Sequence, residues 1–144
     1  MMADALVLTV PIFSTLCNEA FKLRRAVFIT EQKVPLEEEF DHDDLTAHHL
    51  VAIIGGEVCG TLRVITMDEH IKIGRVAVSV AARGHGIASL MISQAMKDHG
   101  ATRGNRFYLT AQTDKVGLYE RFGFKAYGDE FLDGGMPHLA MKTY

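Results

Sequence analysis

Tryptophan is absent from these 144 residues, proline occurs three times and cysteine twice. Two widely separated thiols, Cys17 and Cys59, provide neither a disulfide framework nor a zinc-ligand spacing. Inert thiols in a reducing compartment are the expectation, with a single bridge as the alternative. Also missing is any apolar run near the roughly 20 residues that cross a bilayer. Residues 1–10 lack a basic segment followed by a long apolar one, so no signal peptide is expected. Neither sign of charge dominates: 15 Lys and Arg stand against 18 Asp and Glu, for a net −3. That balance gives no basic field for nucleic acid or anionic membrane, and is too small to identify a partner. The expectation is a soluble, cytoplasmic protein without nucleic-acid or membrane partners.

What is present suits a packed core. Hydrophobic residues make up 48% and charged residues 23%, in a chain long enough to bury about two thirds of its unfolded surface. No repeat, low-complexity tract or linker interrupts it, which predicts one domain over residues 1–144. Residues 5–10 read as a strand ending before Pro11. Ser14 is placed to cap a helix reaching about Phe28, with Leu16, Ala20, Leu23 and Val27 on one face. Residues 34–45, with Pro35 and an acidic run, read as a loop or short irregular helix. Two apolar stretches around Gly55-Gly56 form a β-hairpin. A third strand over about 71–80 puts Val76, Val78 and Val80 on one face, and Arg75, Ala77 and Ser79 on the other. A helix over about 86–99, closed by Gly100, leads to a strand at 106–111 that runs parallel to the third. A short helix over 114–122 and strands near 124–127 and 138–142 complete a mixed α/β sheet.

The unit with most chemical content is Arg83-Gly84-His85-Gly86-Ile87-Ala88, between a strand and the helix that follows. The first turn of a helix carries unpaired N–H groups and the positive end of the macrodipole, a setting that favours phosphate. Gly84 and Gly86 allow close backbone approach, and Arg83 can add a charge-assisted contact. A P-loop would need Gly-Lys-Ser/Thr, which is absent. A Rossmann fingerprint would need Gly or Ala where Ser89 stands. The alternative is a tight turn that needs glycine and binds nothing.

In its setting, this segment resembles the Arg/Gln-x-x-Gly-x-Gly/Ala pattern of the GCN5-related N-acetyltransferase (GNAT) family. Leu118-Tyr119-Glu120-Arg121-Phe122-Gly123-Phe124 resembles that family's second, aromatic signature. Val27-Phe28-Ile29-Thr30-Glu31-Gln32 and Pro137-His138-Leu139-Ala140-Met141 extend the likeness to small single-domain bacterial members of the ElaA-like and glyphosate N-acetyltransferase types. The resemblance implies an acyl-CoA N-acyltransferase fold: a central mixed sheet with two splayed parallel strands, flanked by helices. It implies acetyl-CoA as co-substrate, held by Val76, Ala77 and Val78 on the strand and by Arg83, Gly84, His85, Gly86, Ile87 and Ala88 on the loop, with an N–H near Val76 or Ala77 polarising the thioester carbonyl. Acetyl then passes directly to a primary amine of a small, amino-acid-like substrate. Tyr119 is the implied general acid, its alternative being packing against Phe122 and Phe124. His138 is the implied base, the alternatives being a structural histidine and a water chain to a carboxylate. Arg75 and Gln112 align with substrate-facing positions, although arginine stands at the Gln112 position in glyphosate-type enzymes, which weakens any claim to a strongly anionic acceptor.

Other signals are weaker. The acidic run 37–44 reads as a solvated loop, with attraction of a cationic substrate as the minority reading. His42, His48 and His49 do not converge, so no metal is expected. Lys22, Arg24 and Arg25 read as a solvent face, while Lys97, Arg103 and Arg106 stand where an adenosine phosphate could be reached. A non-catalytic CoA-binding sensor and a protein or peptide N-acetyltransferase are the rival functions, and a homodimer stays open.

Overall fold

In the computed structural model, residues 4–144 are described, so the first three of residues 1–10 lie outside the description. Seven strands form one mixed sheet in the order β1-β2-β3-β4-β5-β7-β6. They are β1 (Leu6–Val10), β2 (His48–Ile54), β3 (Glu57–Thr66), β4 (Ile71–Val78), β5 (Phe107–Gln112), β6 (Lys125–Asp133) and β7 (Met136–Lys142). All neighbours are antiparallel except β4 and β5. The strand–helix–strand connection between those two makes them parallel, as the sequence pattern predicts.

Helix α1 (Thr15–Arg24) starts where Ser14 Oγ accepts the Cys17 N–H at 3.2 Å. It covers one sheet face, where Cys17 and Ala20 pack with Val10 and Val51 in a small core. The chain does not simply continue to Phe28 as a regular helix. Arg25–Glu31 widens into a π-helical segment, closed by Val34 N–H to Phe28 O at 2.8 Å and by Lys33 with φ 64°. Widened turns of this kind re-aim side chains. The larger core lies on the opposite face, where Ile87, Met91, Ile92 and Ala95 of α3 (Ile87–His99) pack on Leu62, Val64, Ile73 and Leu109. Short helices α2 (Leu36–Glu39) and α4 (Val116–Glu120) complete the layers.

β4 carries the main irregularity. Arg63 pairs with Gly74 and Thr61 with Ala77, so Arg75 and Val76 together oppose Leu62. This is a β-bulge, and Arg75 absorbs the extra residue with φ 53°, a left-handed conformation that costs an L-residue about 1–2 kcal/mol. β4 ends at Val78 and the chain turns at Val80–Ala82. Val80 therefore leaves the valine face expected for it and is 72% exposed.

Two expectations from charge patterning are corrected. Arg24 is not on a solvent face but 1% exposed, and the acidic run is not a solvated loop, since Glu39 and Asp44 are buried with it. Arg24 donates to Glu39 (2.8 Å) and Asp44 (2.7 Å), while Arg63 donates to Asp44 (2.9 Å) and Asp41 (2.6 and 2.9 Å). Arg75 joins them at 3.2 Å from both Glu39 and Asp41. Three arginines and three carboxylates thus neutralise one another beneath α2, which is why charged residues tolerate burial there. Burial pushes the Glu39 carboxyl up despite Arg24, whereas the Arg63 hydrogen bond holds Asp41 down at about 2.

Arg103 and Arg106 cap the β3–β4 turn, donating to the Met67 and Glu69 carbonyls at 2.6 and 2.8 Å. They sit beyond the C-terminus of α3, a helix length away from residues 83–88. Gly100 closes α3 with right-handed φ −68°, and the side chains of Asn105 and Phe107 leave no room for a Cβ there.

Removing Arg24 takes from the buried Glu39 and Asp44 the cation they share, and leaves three carboxylates to the two arginines Arg63 and Arg75. Arg24→Met is expected to lower the unfolding free energy by about 3–5 kcal/mol in urea titrations. A loss below about 1 kcal/mol would contradict the account of this network.

Candidate active site

β4 and β5 pair at only two positions, Ile71 with Phe107 and Lys72 with Tyr108. Beyond them the strands diverge, and the gap opens into a cleft of about 590 Å³. Its walls are the second half of β4, the end of β5, the start of α3, α4, the π-helical segment and the β6–β7 turn. A sheet interrupted in this way leaves backbone groups on both sides of the gap without strand partners.

The bulge decides which amides face that gap. Ahead of it, Ile71 N–H points towards β5 and donates to Arg106 O at 2.9 Å; after it, Ser79 N–H points to β3 and donates to Cys59 O at 2.8 Å. Both numbers are odd, so the alternation has reversed across Arg75. Side chains reverse as well: Ile71 and Ile73 lie in the main core before the bulge, Val76 and Val78 pack on it after. Ala77 therefore turns its N–H to β3, and Val76 and Val78 turn theirs to the cleft.

One end of the cleft is the loop before α3. Gly84 and Gly86 both have φ 79°, and a Cβ on either would meet nothing within 4 Å. The loop thus combines a backbone that glycine accepts freely with open space above it. The first backbone bond of the helix runs from Leu90 N–H to Gly86 O at 3.0 Å, so the N–H groups of Ile87, Ala88 and Ser89 have no acceptor within the helix. With the dipole of 13 aligned residues behind them, these groups fit a diphosphate. Arg83, Gly84, Gly86, Ile87 and Ala88 line the cleft, while the His85 side chain is exposed and outside its wall. Arg83 forms a two-pronged pair with Glu31, both contacts 2.8 Å. Arg121 and Lys115 line the same end without a carboxylate partner among the described residues. Neither belongs to the glycine-bearing loop, so no local sequence signal marks them as part of this end.

Between the ends lies Tyr119, 8% exposed, with its ring against Phe124 at 6.2 Å. Burial pushes its hydroxyl up to about 12, so it stays protonated throughout the physiological range. It can donate a proton but is not a base.

The far end is built by α2, the π-helical segment and β7. His138 pairs in register with Gln112, and its Nδ1 lies 2.8 Å from Met136 O. A carbonyl only accepts, so Nδ1 carries the hydrogen and Nε2 of the neutral ring keeps its lone pair. Gln112 Nε2 donates to Gln32 Oε1 at 3.0 Å, spanning from β5 to the residue after the π-helical segment. Arg75 lines this end, but its guanidinium is already engaged by Glu39 and Asp41. Glu38 and Asp133 line it without a cationic side-chain partner among the described residues. Arg121 and Lys115 thus mark the loop end of the cleft and Glu38 and Asp133 the opposite end, while Asp114, beside Lys115, and Lys72, on β4, also line the cleft without an ion-pair partner among the described residues.

The family model for the acetyltransferase (GNAT) domain matches residues 14–144. The uncharacterized N-acetyltransferase YjcF of Bacillus subtilis is 34% identical over 86% of this chain and 89% of its own. An acyl-CoA N-acyltransferase from Pseudomonas aeruginosa superposes with a TM-score of 0.84 at 31% identity, covering 98% of this chain and 99% of that one. Escherichia coli ElaA superposes with a TM-score of 0.86 at 27% identity, covering 99% and 100%. The chain belongs to the GNAT acetyltransferase family and is an acyltransferase.

Proposed function

We propose that the chain, as one domain over residues 1–144, transfers acetyl from acetyl-CoA directly to a primary amine of a small substrate. The observation that carries this reading is the set of open helix N–H groups beside the unpaired edge of β4. Open helix N–H groups and the cations Arg121 and Lys115 stand at one end, and the carboxylates Glu38 and Asp133 at the other. The first end suits a diphosphate and the second an ammonium group.

Acetyl-CoA supplies a thioester, an activated acyl group. The amides of residues 84–89 bind the diphosphate, and Arg83 reaches it on leaving Glu31, pivoting on the bond its Nε donates to Val78 O at 3.0 Å. The β4 edge orients the extended arm, with the Val76 amide, or its neighbour Val78, placed to polarise the carbonyl. Ala77 borders the arm through its side chain. At the acceptor end, Glu38 and Asp133 draw in the ammonium, and Gln112 with Gln32 offers uncharged amide contacts. His138 Nε2 takes the proton that frees the nitrogen lone pair. The C–N bond forms as the C–S bond breaks, and Tyr119 protonates the departing sulfur. A hydroxyl near 12 donating to a thiolate whose acid ordinarily lies near 8.5 is uphill by about 5 kcal/mol. Burial that raises Tyr119 also raises the thiol, which narrows that gap.

The test is thiol release from acetyl-CoA with a panel of small amines and, as controls, lysine peptides. Turnover with the amines is expected; binding of CoA with no turnover on any acceptor would favour a non-catalytic sensor. Tyr119→Phe is expected to lower kcat by about 10²-fold, and His138→Ala to flatten the limb of the pH–rate profile that reports the base. Unchanged kinetics would return either residue to a packing role. Glu31→Gln removes the carboxylate that competes for Arg83, and is expected to tighten CoA binding by about 2- to 5-fold, the scale of an exposed ion pair. Weaker binding in calorimetry would mean that Glu31 aims Arg83 instead of occupying it.

A further inference from the structure

We propose that Arg75 serves acyl transfer through its backbone, and that Glu39 and Asp41 are positioning residues that hold it in place; the inference rests on the acetyl-transfer reading of the cleft. An extra residue in β4 turns the Val76 and Val78 amides towards the gap. That residue has φ 53°, in a bulge position where glycine is the usual occupant. An arginine adopts this conformation only when its surroundings over-determine it.

The surroundings do so from one direction. Arg75 Nε donates to Glu39 O at 3.1 Å, and Nη2 donates to Glu38 O at 3.0 Å and to Asp41 Oδ2 at 3.2 Å. The Glu39 carboxylate lies 3.2 Å from Nε. Glu39 and Asp41 are themselves fixed by Arg24 and Arg63. The buried ionic network therefore ends on the one strained residue of β4, and secures the bulge from outside the strand. A guanidinium with these partners has little left for a substrate carboxylate. Its side chain borders the acceptor end because the strap from α2 passes there.

Two variants separate backbone from charge. Arg75→Ala and Arg75→Gly lose the guanidinium equally and differ in tolerance of positive φ. Calorimetric affinities for acetyl-CoA and for CoA report whether the thioester carbonyl still meets its amide. Wild type is expected to prefer acetyl-CoA, and Arg75→Gly to keep that preference within about 2-fold. Arg75→Ala is expected to lose about 5-fold or more of it, the scale of a left-handed backbone penalty. Asp41→Asn should lower the preference in the wild-type background and leave it unchanged beside Arg75→Gly. That coupling is measurable even if the alanine variant fails to fold.

Equal losses in the alanine and glycine variants, an equal effect of Asp41→Asn in both backgrounds, or no wild-type preference between the two ligands would each overturn the positioning role alone. A folded wild-type chain that binds neither ligand would overturn the acetyl-transfer reading, and this inference with it.

Discussion

β4 has a parallel neighbour along only its first two residues, and the chemistry of the chain depends on that missing partner. A continuous sheet would satisfy its backbone groups internally and leave no room between β4 and β5. Divergence instead creates an unpaired edge inside the molecule, lined by Val76 and Val78 on one side and Gln112 on the other. An extended ligand can complete such an edge through the hydrogen bonds a strand would otherwise make. The helix that connects the two strands begins at the mouth of the same gap. Its free N–H groups are therefore brought beside the edge by topology, without any long-range contact dedicated to that purpose.

The two ends of the gap are stabilised differently. At the loop end, glycines permit the backbone path, and the exposed Glu31–Arg83 pair is an ionic contact across the mouth. At the opposite end, buried charge is used: Arg24, Glu39, Asp41, Asp44, Arg63 and Arg75 form a neutral cluster that ties α2 to β3 and β4. Paired ions of this kind contribute less net stability than an apolar cluster of similar volume, but they fix geometry because any broken pair leaves an uncompensated buried charge. Rigid support at the α2 end and an exposed, exchangeable pair at the loop end suit the proposed site, which admits one ligand and orients another.

Local signals in the chain made part of this legible. The Ser14 cap, the Gly55-Gly56 hairpin and the strand–loop–helix around Gly84 and Gly86 each depend on neighbours within a few residues, and each lies where expected. The parallel pair followed from the length of its connection. The burial of Arg24 is not legible locally, because its partners, Glu39 and Asp44, are 15 and 20 positions away, and a helix pattern alone cannot tell a paired arginine from a solvated one. Nothing at Arg75 announces positive φ, since the forces that impose it come from α2. The π-helical segment that brings Glu31 and Gln32 to the cleft escaped for the same reason: its widening has no glycine or proline to mark it. Tyr119 and His138 were both picked out in the sequence by resemblance, and the fold sets both in the walls of one cleft.

An amide-resolved 15N–1H NMR titration with CoA tests the central claim directly. The account predicts saturable shifts centred on residues 84–89 and on the amides of Val76 and Val78, with the far sheet edge at β1 unmoved. Saturation that leaves those amides in place, or no binding by the folded chain, would contradict it.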